Sequence, residues 1–93
     1  MKKSIMMNLD VQKCYLCGAE GHMEVHHCLH GTANRRLADA DGLTVNLCMR
    51  CHRALHDRGE RDRELEAAAE RVWMNYNREQ EEGFVARYGR SYL

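Results

Sequence analysis

The stretch at residues 47–56 (LCMRCHRALH) constrains the fold most, because it places a C-x-x-C pair directly against an H-x-x-x-H pair. Cys48 and Cys51, at the start of a helix, can supply two corners of a tetrahedral zinc site. His52 and His56 are four residues apart, so they lie on one helical face, one turn above the other. Because successive helical residues are rotated by about 100°, the two pairs point in different directions. One short helix is therefore predicted to serve two metal sites, one for the fold and one for chemistry.

Other motifs include some of the same residues. Residues 48–52 also match C-x-x-C-H, the c-type haem attachment motif, but haem attachment requires export, and we expect no export signal. The histidine pair is not the H-E-x-x-H of zinc proteases, because Arg53 occupies the position of the general-base Glu. Helix-face histidine pairs are often plain solvated residues. The adjoining cysteines and the upstream histidines argue against that interpretation here.

Composition and charge restrict the class of protein. The 93 residues suffice for one domain with a small core. Fourteen basic and fourteen acidic side chains give a net charge of zero, so any DNA-binding surface must be a local patch. The N-terminal apolar run is broken by Asn8 and ends at Asp10 without a cleavage site, so we expect no signal peptide and no membrane span. We expect a cytoplasmic location, where paired cysteines favour metal over disulfide.

Four of the five cysteines form the pattern C-x2-C-x30-C-x2-C, which predicts a closed zinc site. Four thiolates complete a tetrahedral site with no open position, which is the structural type. Such an ion adds folding energy on the order of 10 kcal/mol. Disulfides or unligated thiols are the alternatives. The predicted structural zinc ligands are Cys14, Cys17, Cys48 and Cys51. Cys28 is left over and is expected to be an inert, half-buried thiol.

The hydrophobic pattern predicts an α+β fold. Residues 23–28 and 43–47 are predicted to be antiparallel strands, the second half-buried and leading directly into the second cysteine pair. Residues 29–42 are expected to be irregular, and residues 1–12 offer one possible strand. The helix after the second strand should end near Gly59, which can cap it in the left-handed conformation.

The C-terminal part predicts helices. Apolar residues recur at helical spacing from about residue 62 to 82, which indicates one long amphipathic helix with a solvated polar face. Gly83 is expected to break it, and a short last helix should end at Gly89. We expect the whole chain, residues 1–93, to be one domain, with a metal-bound core over 14–58 and a helical extension over 62–93.

The order of knuckle, hairpin and helix, with the last cysteine pair at the helix start, is a treble-clef arrangement. Adding His26 and His27 on the first strand and the histidine pair on the helix, residues 14–58 resemble the HNH endonuclease family, whose fold is the ββα-metal unit. The final residues 88–93 (YGRSYL) are similar to those of small phage-encoded members. The resemblance implies metal-dependent DNA cleavage or nicking that leaves a 5′-phosphate and a 3′-hydroxyl, in the host cytoplasm for a phage protein.

The resemblance also implies a role for each histidine. In the family, the first residue of the paired motif binds the metal and the second is the general base, which makes His26 a ligand and His27 the base. His52 and His56 would complete the site of a divalent ion, for which Mg²⁺, Mn²⁺, Ni²⁺ and Zn²⁺ are candidates. A neutral imidazole can take a proton from water near neutral pH. Adjacent strand residues face opposite ways, so only a kink at the strand end lets both histidines reach one phosphate.

The chain departs from the family pattern at one position. Leu43 stands at the position of the family motif's central Asn, and neither Asn46 nor Asn34 matches in spacing. Asn34 could serve instead from the loop. His22 and His30 are expected to be surface residues.

Arginines near the proposed site are candidate phosphate contacts. The alternative for each of them is an ordinary solvated surface. These candidates are Arg35, Arg36, Arg50 and Arg53.

Two other functions fit part of the pattern. A non-catalytic treble-clef zinc module that binds nucleic acid or protein explains the four cysteines, but it leaves the four site histidines as coincidence. A small redox or haem protein requires export and ignores the same histidines.

Overall fold

The computed structural model describes residues 3–93, in which two strands and four helices form an α+β fold, as predicted. No helix in this part of the chain is long and apolar enough to cross a membrane. The elements in chain order are β1 (Glu24–His27), α1 (Thr32–Asp41), β2 (Thr44–Leu47), α2 (Met49–Arg58), α3 (Asp62–Asn77) and α4 (Glu81–Tyr88).

The predicted hairpin is confirmed. Strand β1 pairs antiparallel with β2, and His26 lies opposite Val45 in the register. Strand β2 was expected to be half-buried, but all four of its residues are buried. The reason lies in Asn46, whose side-chain amide donates to the carbonyls of Leu9 and Val11 at 2.9 Å each, so the N-terminal segment covers the polar face of the strand.

Helix α1 corrects the expectation of an irregular stretch over residues 29–42. The segment is rich in Ala, Arg and Leu, which have high helix propensity. Gly31 precedes the helix and Gly42 ends it with a φ of 76°. Gly42 also permits close packing, because a Cβ there would lie 2.5 Å from the carbonyl oxygen of Lys3. Residues 3–12 contain no strand; the first two residues of the strand predicted over 1–12 lie outside the described part of the chain.

The three later helices end where the backbone turns left-handed. Gly59 ends α2 at a φ of 67°, and Gly89 ends α4 at 90°, both as predicted. The helix predicted to reach residue 82 stops at Asn77, because Arg78 takes a φ of 54° and α4 begins only three residues later. Gly83, expected to be the breaker, lies within α4.

A half-buried carboxylate connects the C-terminal helices to α1. Asp41 accepts hydrogen bonds from Nε1 of Trp73 at 3.0 Å, from the guanidinium of Arg87 at 2.6 and 2.7 Å, and from the hydroxyl of Tyr88. Trp73 and Tyr88 also pack against Phe84, which is fully buried. These contacts fix α3 and α4 against the end of α1.

Candidate metal centres

The two cysteine pairs meet at the start of α2. Sγ of Cys17 is 3.7 Å from Sγ of Cys48, whereas a disulfide needs about 2.0 Å. Adjacent sulfurs of a tetrahedral site with Zn–S bonds of about 2.3 Å are about 3.8 Å apart. The geometry therefore fits a zinc ion. All four sulfurs lie within 4.8 Å of one another, and they belong to Cys14, Cys17, Cys48 and Cys51.

Backbone hydrogen bonds around the first cysteine pair favour the thiolate form, which binds a cation. Burial raises the pKa of the Cys14 thiol, but hydrogen bonds from backbone amides outweigh it and lower that pKa to about 6. Burial and hydrogen bonds with the neighbouring sulfurs raise the pKa of Cys51 to about 12. Sulfurs this close cannot all carry charge without a cation between them, and a metal ion would resolve that conflict.

Three histidines form a second cluster beside the first. Nε2 of His52 lies 3.0 Å from Nε2 of His56, one helical turn away. Nε2 of His26 is buried and has no hydrogen-bond partner among the described residues. One ring nitrogen from each of these residues lies within 4.8 Å of the other two. Two imidazoles that share one ion with bonds of about 2.1 Å have nitrogens about 3.0–3.4 Å apart, so the cluster fits a divalent metal.

Glu24 fixes the ring of His52. Its Oε1 lies 2.8 Å from Nδ1 of His52. A carboxylate can only accept, so Nδ1 carries the proton and Nε2 keeps its lone pair. This hydrogen bond lowers the pKa of Glu24. A carboxylate behind a histidine is the usual support of a metal ligand.

Burial keeps His26 neutral. The pKa of His26 is lowered to about 4. Burial is the largest cause, followed by repulsion from the neighbouring His52 and His30. The ring therefore remains uncharged near neutral pH and can donate its lone pair to a metal.

His27 opens onto the same cleft as His26, although the two residues are adjacent on the strand. It is the last residue of β1, and the cleft, of about 430 Å³, is lined by both side chains and by His52 and His56. Nε2 of His27 lies 3.0 Å from Oδ1 of Asp39 on α1. Because the carboxylate can only accept a hydrogen bond, it selects the tautomer in which Nδ1 of His27 is unprotonated.

The structure gives other roles to the polar residues considered as replacements for the family's Asn. Asn34 is not in a loop but in α1, where its amide donates to the carbonyl of Tyr88 at 3.2 Å. Leu43 is fully buried in the core. Asn46 is used to hold the N-terminal segment. The polar group that contacts the predicted base is instead Asp39.

His30 is exposed, as expected, but it contacts a residue of another element. Its Nε2 lies 2.7 Å from Oδ1 of Asp62, the first residue of α3, and its side chain lines the cleft. His22 is exposed and belongs to neither histidine cluster.

The four candidate arginines lie on different surfaces. Arg35 lines the cleft. Arg50 and Arg53 line a separate concave surface along α2, with the exposed side chain of Met49 beside them. Arg36 is exposed on α1 and does not line the cleft. One of the four predicted phosphate contacts is therefore beside the histidines.

Comparison of the chain with protein-family models, with curated protein sequences and with solved structures found no match. The two clusters and the cleft are therefore the features of this chain that indicate a function.

Proposed function

We propose that this protein is a metal-dependent DNA endonuclease or nickase of the HNH type, built on a zinc-stabilised treble-clef core over residues 14–58. One observation carries the proposal. Nitrogens of His26, His52 and His56 lie within 4.8 Å of one another in a cleft that His27 also lines, and His27 is hydrogen-bonded to Asp39.

The proposed roles of His27 and Asp39 follow from the hydrogen bond between them. Asp39 accepts the Nε2 proton of His27, so Nδ1 is the atom that takes a proton from the attacking water. As the water loses its proton, the Asp39 carboxylate stabilises the imidazolium that forms. His27 thus acts as base without being a metal ligand.

The three-histidine set would hold the divalent ion, with Mg²⁺, Mn²⁺, Ni²⁺ or Zn²⁺ as candidates. When bound, that ion supplies Lewis-acid stabilisation of the charge that develops on the phosphate and on the leaving oxygen. Glu24 keeps His52 oriented as a ligand. The four cysteines would hold a separate zinc that has a structural role only.

The lining of the cleft suits a phosphodiester. Small-molecule sites are mostly apolar and enclosing, whereas this cleft contains five histidines and Arg35. A guanidinium beside the histidines can contact a phosphate oxygen. Because the chain has no net charge, we propose that DNA binding is local and weak, with Arg35 as the principal contact.

A supercoiled-plasmid assay in Mn²⁺ or Mg²⁺ tests the proposal, with metal affinity measured by calorimetry on the same samples. His27→Ala should keep metal binding while the nicking rate falls about 10²–10⁴-fold. His26→Ala should lose the metal as well as the activity. His22→Ala, at an exposed histidine outside both clusters, is the matched control and should behave like the wild type.

Two results would contradict the assignment. If His27→Ala lost the metal while His26→Ala kept it, the two roles would be exchanged. If both variants cut plasmid as fast as the wild type, the nuclease proposal would fail, and a non-catalytic zinc module that binds nucleic acid or protein would be the better interpretation.

A further inference from the structure

A second set of ligand atoms meets at His26. His30 follows β1, Asp62 begins α3, and together with His26 they place one potential ligand atom each within 4.8 Å of one another. The rings of His26 and His30 are 5.9 Å apart between centroids. His26 is the one residue that this set shares with the three-histidine set among the described residues.

The chemistry of this second set differs from that of the first. Three neutral imidazoles suit Zn²⁺, Ni²⁺ and similar ions, whereas a carboxylate oxygen suits Mn²⁺ and Mg²⁺. Two imidazoles with one carboxylate bring a negative charge to the ion and leave coordination positions open. The two sets are therefore expected to prefer different metals.

His26 belongs to both sets, so the two sets cannot each bind an ion at the same time. A neutral imidazole has one unprotonated nitrogen and can give its lone pair to one ion. Nε2 of His26 is buried and has no hydrogen-bond partner within residues 3–93, as a ligand atom would before an ion binds. Nε2 of His30 lies 2.7 Å from Oδ1 of Asp62, so His30 donates a hydrogen bond to this carboxylate in the metal-free protein, and that proton is released when an ion binds between the two groups.

We propose that His26, His30 and Asp62 form a second, alternative binding site for a divalent cation. One ion at a time then occupies either this site or the three-histidine site. The proposal concerns metal binding and holds whether or not the protein cleaves DNA. It gives His30 and Asp62 a role as ligands that determine metal preference.

Titration of the full-length protein with Co²⁺, followed by visible absorption, tests this proposal. The cysteine site is first filled with zinc, and the absence of thiolate-to-cobalt charge-transfer absorption verifies that Co²⁺ stays out of it. The wild type should bind one Co²⁺ per chain at the histidines. The double variant His52→Ala/His56→Ala should still bind one Co²⁺, more weakly and with a changed spectrum. Adding Asp62→Asn to that variant should abolish saturable binding.

Matched controls isolate the effect of the carboxylate. Asp57→Asn removes an exposed carboxylate of α2 that belongs to neither set, so in the double-variant background it should leave Co²⁺ binding unchanged. In the otherwise wild-type chain, Asp62→Asn should weaken Mn²⁺ binding more than Ni²⁺ binding, because the three-histidine site, which suits Ni²⁺, remains. Circular dichroism confirms that each variant is folded.

Two outcomes would overturn the proposal. One is the loss of all Co²⁺ binding in a folded His52→Ala/His56→Ala protein, and the other is unchanged binding after Asp62→Asn is added to it. If the double variant does not fold, His56→Ala alone, at an exposed position, replaces it with the same expectations. A wild type that binds Co²⁺ but never nicks plasmid would refute the nuclease proposal and leave this one intact.

Discussion

Asp39 holds the ring of His27 from the neighbouring helix α1, with 3.0 Å between Oδ1 and Nε2. The contact joins residues twelve positions apart in the sequence, and it decides which ring nitrogen is free to accept a proton. Asp39 is therefore a positioning residue for the proposed base.

Asp39→Asn should lower the nicking rate about 10- to 100-fold while metal affinity stays unchanged. An amide can donate as well as accept, so it no longer selects the tautomer with a bare Nδ1 on His27. Plasmid nicking and Mn²⁺ calorimetry on the same preparation measure both effects. A rate equal to that of the wild type would show that Asp39 does not act through His27.

Cys17→Ser and Cys51→Ser should each give protein that lacks zinc and is unfolded or insoluble. Structural zinc sites contribute on the order of 10 kcal/mol to folding, which a small core cannot replace. Metal analysis and thermal unfolding followed by circular dichroism provide the measurement. Well-folded, zinc-free protein with disulfides would disprove the site.

Cys28→Ser is the matched control for the two zinc-ligand variants. Cys28 is fully buried, and burial raises the pKa of its thiol to about 12, so it is a neutral core side chain. Its replacement buries a hydroxyl at a cost of about 1–3 kcal/mol. The variant should keep its zinc and remain folded with a lower melting temperature.

Arg35→Glu should weaken DNA binding and make it less dependent on salt, whereas Arg50→Glu should have little effect. Arg35 lines the histidine cleft, while Arg50 lies on the other concave surface of α2. Each lost phosphate contact reduces the slope of log affinity against log salt by about one. Fluorescence anisotropy at several salt concentrations measures this slope. A larger loss with Arg50→Glu would place the DNA on the outer surface of α2.

Asp41→Asn should reduce the free energy of unfolding by about 1.5–3 kcal/mol, the range for hydrogen bonds to charged groups. Burial raises the pKa of Asp41, but hydrogen bonds from Arg87 and Tyr88 outweigh it, and the net pKa is lowered. The carboxylate therefore stabilises the fold fully above its unfolded pKa of about 3.9, and this stabilisation is lost as the pH falls through the lower folded value.

Urea unfolding of the wild type and Asp41→Asn at several pH values measures this contribution. The difference between the two proteins should be constant near neutral pH and shrink on acidification below about pH 4. A difference that did not change with pH would indicate a steric rather than an electrostatic effect.

Residues whose roles depend on local spacing could be predicted from the sequence. The C-x-x-C pairs and the histidines one turn apart follow from helix and knuckle geometry, and Gly59 ends its helix by a local backbone preference. Glu24 could have been found as well, because it lies two residues before His26 and strand residues two apart share a face. Its hydrogen bond with His52 could not be predicted, because that bond joins strand β1 to helix α2.

Partners brought together by the tertiary fold could not be predicted in this way. Asp39 lies in α1, within a stretch expected to be irregular, and Asp62 reaches His30 only because α3 packs beside the cleft. Arg78 takes a left-handed conformation that glycine usually adopts, so the end of α3 carried no recognisable signal. Arg50 and Arg53 are close to the histidines in sequence, but helical rotation turns them to another surface.

Cys51 and His52 are consecutive residues of α2, so the ion that the cysteines would hold and the ion that the histidines would hold depend on the same turn of helix. Refilling the histidine site should therefore require that the cysteine site is filled. Protein stripped only of its histidine-bound ion should recover activity on simple addition of Mn²⁺. Protein stripped of both should recover only when zinc is supplied together with Mn²⁺, and Mn²⁺ alone should leave it inactive.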